Sequence, residues 1–206
     1  GTSGGGAGVW VNAPTFGVIH TLSIVNNTFN GKPAIGTLPN SFIPKTVHGI
    51  RVDAFDFADI RNNTFNGPFE YGIYVRAHDA HVQGNVFNGN ADGNPETAVF
   101  STDGKKNIIV DNKITMTSGN NIFDGSAYGT EGLYGVRVVY GNTATVYNNV
   151  IHGSLNGIEV VASNEVELGQ NDLKHHSNKL GVGVLIRADT SGSTPAYSNE
   201  GVFQGN

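Results

Sequence analysis

Tyr74, Arg76, His78, Asp79 and His81 crowd into one short stretch of the chain, and Arg51 with Asp53 stands one repeat before them. Removing a proton from a sugar carbon needs a base, a group that returns a proton, and a cation that neutralises the neighbouring uronate carboxylate. Arginine with tyrosine or histidine supplies all three. The expected catalytic set of a lyase or epimerase is therefore Tyr74, Arg76, His78 and Asp53. Asp79 reads as a turn cap, equivalent to Asp56, Asn142 and Asn164, and His81 as an exposed strand residue. Metal chemistry has less to work with. The chain has no Cys, and His175 and His176 are adjacent, so they diverge on an extended chain with no third ligand beside them. Asp92 with Glu96 offers the oxygen ligands that Ca²⁺ takes, outside any defined calcium loop. No metal site and no cofactor is expected, with Ca²⁺ the one ion these loops would suit.

The elements that position these residues come from a repeat. An apolar-x-x-Asn-x-apolar pattern recurs at Ile24–Phe29, Ile60–Phe65, Val82–Phe87, Ile109–Ile114, Val146–Ile151 and Leu168–Leu173, and Phe203-x-x-Asn206 begins another copy. A Gly-apolar-x-apolar pattern precedes it, at Gly8–Val11, Gly49–Val52, Gly72–Val75, Gly135–Val138, Gly157–Val160 and Gly183–Ile186, with Thr97-Ala98-Val99-Phe100 as a degenerate member. Alternation with period two means strands. Strands this short are stable only when stacked units bury a common core. The reading is one all-β domain over residues 1–206, a single-stranded right-handed parallel β-helix of about seven rungs with three short strands each. The recurring Asn belongs at a bend, where a short amide tolerates unusual dihedrals and successive amides bond one another as a ladder. That ladder also accounts for the Asn-Asn-Thr sequons at Asn26 and Asn62.

On these repeats the chain resembles the pectate-lyase-like superfamily of right-handed parallel β-helices. Gly135-Val136-Arg137-Val138 through Val146-Tyr147-Asn148-Asn149-Val150-Ile151-His152 is similar to the repeats of mannuronan C-5 epimerases, and the same pattern occurs in phage tailspikes and surface adhesins. The epimerase Asp-Pro-His-Glu motif is absent. The resemblance implies that the Gly-apolar-x-apolar sheet carries a polysaccharide groove.

Position three of that motif and the residue after it should point outward. They are Trp10 and Asn12, Arg51 and Asp53, Tyr74 and Arg76, Val99 and Ser101, Arg137 and Val139, Glu159 and Val161, and Leu185 and Arg187. Arg51, Arg76, Arg137 and Arg187 are four of only five arginines, the other being Arg61. Arginine suits carboxylate or sulfate recognition, and Trp10 and Tyr74 have rings for sugar faces. The expected substrate-binding set is Trp10, Arg51, Arg137, Glu159 and Arg187. The alternative is an ordinary charge ladder on a solvated sheet. Insertions at 12–21, 31–47, 115–133 and 187–201 would wall the strip. Asp53 and Glu159, four rungs or roughly 19 Å apart, are too distant for glycoside hydrolysis, whereas Glu159 with Asp189 would be near enough.

Charged residues make up 14 % of the chain and the net charge is −5, which gives no basic face for nucleic acid. No stretch has the run of apolar residues a membrane span needs. The expectation is an extracellular or surface protein that binds or processes an acidic polysaccharide as a lyase, epimerase or depolymerase. The alternative is a non-catalytic structural or adhesive solenoid. Because the last copy stops in mid-rung, the solenoid is expected to continue or to be capped by self-association.

Overall fold

The computed structural model describes residues 7–13, 20–31, 46–67, 69–88, 97–115, 134–154, 156–174, 182–188 and 199–204. The first rung is β1 (Ala7–Asn12), β2 (Thr21–Val25) and β3 (Thr28–Asn30). In the second, β4 (Thr46–Arg61) runs through a bend to serve two faces and β5 (Thr64–Asn66) makes the third; β6 (Phe69–Gln83) and β7 (Val86–Asn88) do likewise. Then come β8 (Thr97–Thr102), β9 (Lys106–Val110) and β10 (Lys113–Thr115), followed by β11 (Tyr134–Val139), β12 (Ala144–Tyr147) and β13 (Val150–His152). The sixth rung is β14 (Asn156–Val161), β15 (Asn164–Gly169) and β16 (Asp172–Lys174), and β17 (Val182–Arg187) and β18 (Asn199–Gln204) begin a seventh. Each strand pairs in parallel with its counterpart one rung away. The chain is a parallel β-helix of three faces.

Its core is a set of side-chain columns. Ile50, Ile73, Val99, Val136 and Ile158 align from the first face, and Phe29, Phe65 and Phe87 stack from the third, with centroids 5.0 and 4.6 Å apart. At Gly8, Gly49 and Gly72 the motif glycine leaves room for that ring, and at Gly135 it leaves room for Ile151. A Cβ on Gly72 would stand 2.6 Å from the Phe87 ring and 2.8 Å from the Ala98 carbonyl. In the fourth rung Ile114 replaces the phenylalanine, and there Ala98 occupies the glycine position.

The Asn ladder forms, with a division of labour the sequence reading did not assign. Asn63, Asn85, Asn112, Asn149 and Asn171 are all buried. Asn85 Oδ1 accepts from the backbone N and Nδ2 of Asn63 at 2.9 and 3.1 Å, and Asn85 Nδ2 donates to the Ile60 carbonyl. The left-handed turn conformation belongs to the residue before each ladder member: Asn26, Asn62, Gly84, Asp111, Asn148 and Gln170 all have positive φ. Asn26 and Asn62 are therefore exposed turn residues rather than ladder members, and the ladder is made by Asn27 and Asn63. The other bend is absorbed by Ala54, Asp103, Tyr140 and Ala162, again at positive φ.

Three further expectations are corrected. In the fourth rung the register is Tyr74 beside Phe100 and Val75 beside Ser101, so Phe100 is the outward residue while Val99 and Ser101 are buried. Asp79 pairs with Phe57 rather than Asp56, so it is not equivalent to that residue in the turn. Val139 and Val161, placed outward by alternation, are buried as well.

Candidate functional site

Outside the first face, five rungs each contribute one planar group to a single stack. The Arg51 guanidinium lies over the Trp10 ring at 5.1 Å and over the Tyr74 ring at 5.0 Å. Tyr74 stacks on Phe100 at 5.2 Å and 17°. The Arg137 guanidinium covers Phe100 at 5.5 Å and Tyr134 at 5.1 Å. The order Trp10, Arg51, Tyr74, Phe100, Arg137 follows from parallel pairing, which puts equivalent positions one strand spacing apart. Both faces of Tyr74 and of Phe100 are thus covered by neighbours, and what these rings show to the outside is an edge. Trp10, 63 % exposed, closes the described end of the stack.

Carboxylates brace the arginines. Asp53 Oδ2 accepts from Arg51 Nε at 2.7 Å and from the Trp10 indole N–H at 3.1 Å. Glu159 is fully buried between two arginines, accepting from Arg137 Nε on Oε2 and from Arg187 Nε at 2.8 Å on Oε1. Arg76 faces Asp103 at 3.5 Å. Among the described residues, the Nη groups of Arg51 and Arg137 have no protein acceptor: each guanidinium is held through Nε and its flat faces.

Two more rings, His48 and Tyr71, lie beside the stack. His48 packs on Tyr71 at 5.3 Å and against the edge of Tyr74 at 5.7 Å. Burial, reinforced by Arg51, lowers the His48 pKa to about 4, so this imidazole is neutral at physiological pH. Burial likewise raises the Tyr74 phenol, with Asp53 adding to the shift, which keeps its proton in place. The Arg51 guanidinium is stabilised first by its hydrogen bond to Asp53.

The family model described as right handed beta helix region matches residues 47–199. The chain belongs to that family. No curated protein and no solved structure matches it.

In this right-handed β-helix the sequence-expected residues divide into two groups. Tyr74, Asp53, Trp10 and Arg51 come together in the stack, and Arg137, Glu159 and Arg187 continue it along the same face. His78 lies past the bend, where its Nδ1 is 3.3 Å from Asp56 Oδ1, and Asp56 Oδ2 accepts from the His20 backbone N–H at 3.2 Å. Sequence reasoning missed His48, Tyr71, Phe100 and Tyr134. His48, Tyr71 and Tyr134 would follow from writing out the column before each motif glycine, and Phe100 from the correct fourth-rung register. Asp189, His175, His176, Asp92, Glu96 and most of the proposed walls at 14–19, 32–45, 116–133 and 189–198 lie outside the described residues. Among the described residues no group of three or more His, Asp or Glu side chains is placed to hold a metal, and no helix is long and apolar enough to cross a membrane.

Proposed function

We propose that this β-helix binds an acidic extracellular polysaccharide along the outer stack, with the chain lying parallel to the helix axis. The observation that carries the reading is the continuous column Trp10–Arg51–Tyr74–Phe100–Arg137, whose two arginines bond their carboxylates through Nε. An aromatic edge is the positive side of the ring quadrupole. A surface of ring edges, a phenolic hydroxyl and guanidinium termini suits oxygen-rich ligands, and Trp10 offers a ring at the end. Carboxylate or sulfate groups would dock on the Nη pairs, for which arginine geometry is suited. The arginines are held by Asp53 and Glu159 before any ligand arrives, so little ordering entropy is lost on binding.

Binding is better supported than proton abstraction. A phenol whose pKa is raised can give a proton at neutral pH and is a poor base. His78, the other candidate base, is placed with Asp56 around the bend. The likeness of the repeats to epimerases and tailspikes adds weight to a carbohydrate ligand, and Tyr74 would serve as the acid if chemistry follows binding.

The test is a glycan-array screen of wild type, Trp10→Ala and Arg51→Gln, with ultraviolet absorbance followed for unsaturated uronate products. Saturable binding to acidic glycans, lost in both variants, is expected. Binding unaffected by either substitution, or no binding to any acidic glycan, would leave the structural or adhesive solenoid as the better reading.

A further inference from the structure

Resting on that reading, we infer that the outer stack selects polysaccharides of low charge density, carrying sparse anionic groups between neutral sugars, over polymers with a carboxylate on every residue. The charges on the face set this. Among the described residues, four guanidiniums (Arg51, Arg76, Arg137 and Arg187) stand against three carboxylates (Asp53, Asp103 and Glu159) that contact them. His48, the remaining titratable base beside the stack, is neutral. Counted over these described side chains alone, the strip carries one net positive charge, on a chain whose net charge is −5.

The cations in the column are also widely spaced. Between Arg51 and Arg137 the column holds Tyr74 and then Phe100, so the two guanidiniums are three strand spacings, or roughly 14 Å, apart. Carboxylates on every sugar would put anions over these two rings, with Asp53 close to one end and Glu159 to the other. An anion over Tyr74 would find the Arg76 of its own rung already engaged by Asp103, and one over Phe100 would find no arginine in its own rung. Neutral sugars over Tyr74 and Phe100, with an anion near each arginine, would meet hydroxyls at the ring edges instead.

The experiment measures affinity of the intact chain for alginate whose carboxylates are esterified in steps from none to nearly all, with hyaluronan and chondroitin as further backbones. Tightest binding is expected at intermediate esterification, with the fully ionised polymer weaker by roughly fivefold. Asp53→Asn keeps an oxygen for the Trp10 and Arg51 hydrogen bonds and removes one negative charge. It should move the optimum toward the fully ionised polymer while leaving thermal stability little changed. Tightest binding to the fully ionised polymer in wild type would overturn the charge-density inference and leave acidic-glycan binding standing. Tightest binding at the neutral end overturns it too, by removing the need for an anion. No binding across all three backbones would sink this inference and the proposed function together.

Discussion

The Asn column inside one bend and the planar stack outside the first face each take one side chain from successive rungs, the stack from the first five. The inner column uses a single residue type, because each buried amide must accept from the one before and donate to a carbonyl, and only asparagine at that reach satisfies both. The outer stack needs only flat groups at one strand spacing. Trp, Arg, Tyr and Phe all serve, and the choice among them sets charge and shape toward the outside. Where the geometry dictates the residue, the column is structural. Where it leaves a choice, the column can carry specificity.

The comparison breaks most directly at Asn112. Its Oδ1 accepts from Asn85, and its Nδ2 donates to Val82 O and Asn149 Oδ1. Asn112→Ala should cost about 4 kcal/mol in urea unfolding, since several buried partners are stranded at once. A loss under about 1 kcal/mol would mean that the ladder is not what holds the bend.

The next effect is pH-dependent and belongs to the outer face. His48, packed among Arg51, Asp53, Tyr71 and Tyr74, has its pKa lowered from 6.5 to about 4. Between those values the unfolded chain binds a proton that the folded one does not. Stability should therefore be full above about pH 6.5 and fall as the pH drops toward 4, by up to about 3 kcal/mol. Thermal melts of wild type and His48→Asn across that range should show a flatter curve for the variant; parallel curves would count against a buried neutral imidazole.

Gly72→Ala sharpens the packing side. The added methyl meets the Phe87 ring, so a loss of about 2 kcal/mol is expected. Adding Phe87→Ile should recover part of it, because Ala98 already coexists with Ile114 one rung on. The smallest stability effect belongs to Trp10, which is largely exposed: Trp10→Ala should cost about 0.5 kcal/mol or less, while glycan binding is lost.

Much of this fold was legible because its signals are short-range. Fourteen positions separate Gly49 from Asn63, Gly135 from Asn149 and Gly157 from Asn171, and the alternation between them marks the core columns. The fourth rung was misread by one residue because no glycine anchors it. Counting the same interval back from Asn112 reaches Ala98, which restores Phe100 to the outward column. The arginine strip was visible as composition on one face. That Glu159 would be buried between Arg137 and Arg187 was not, since alternation gives direction and says nothing of what covers a side chain. His78 looked like a neighbour of Tyr74 because they are close in sequence. The bend between them sends one to the stack and the other to Asp56.

The central claim is that ligand docks on the outer stack, and the chain carries its own reporter there. Trp10 is the only tryptophan, and it closes the described end of that stack against Arg51. The decisive measurement is a tryptophan-fluorescence titration with a partially esterified acidic polysaccharide, run beside calorimetry on the same samples. A saturable fluorescence change with the calorimetric affinity, absent in Arg51→Gln, is the predicted result. Calorimetric binding with no change at Trp10 would place the ligand on another face and contradict the account.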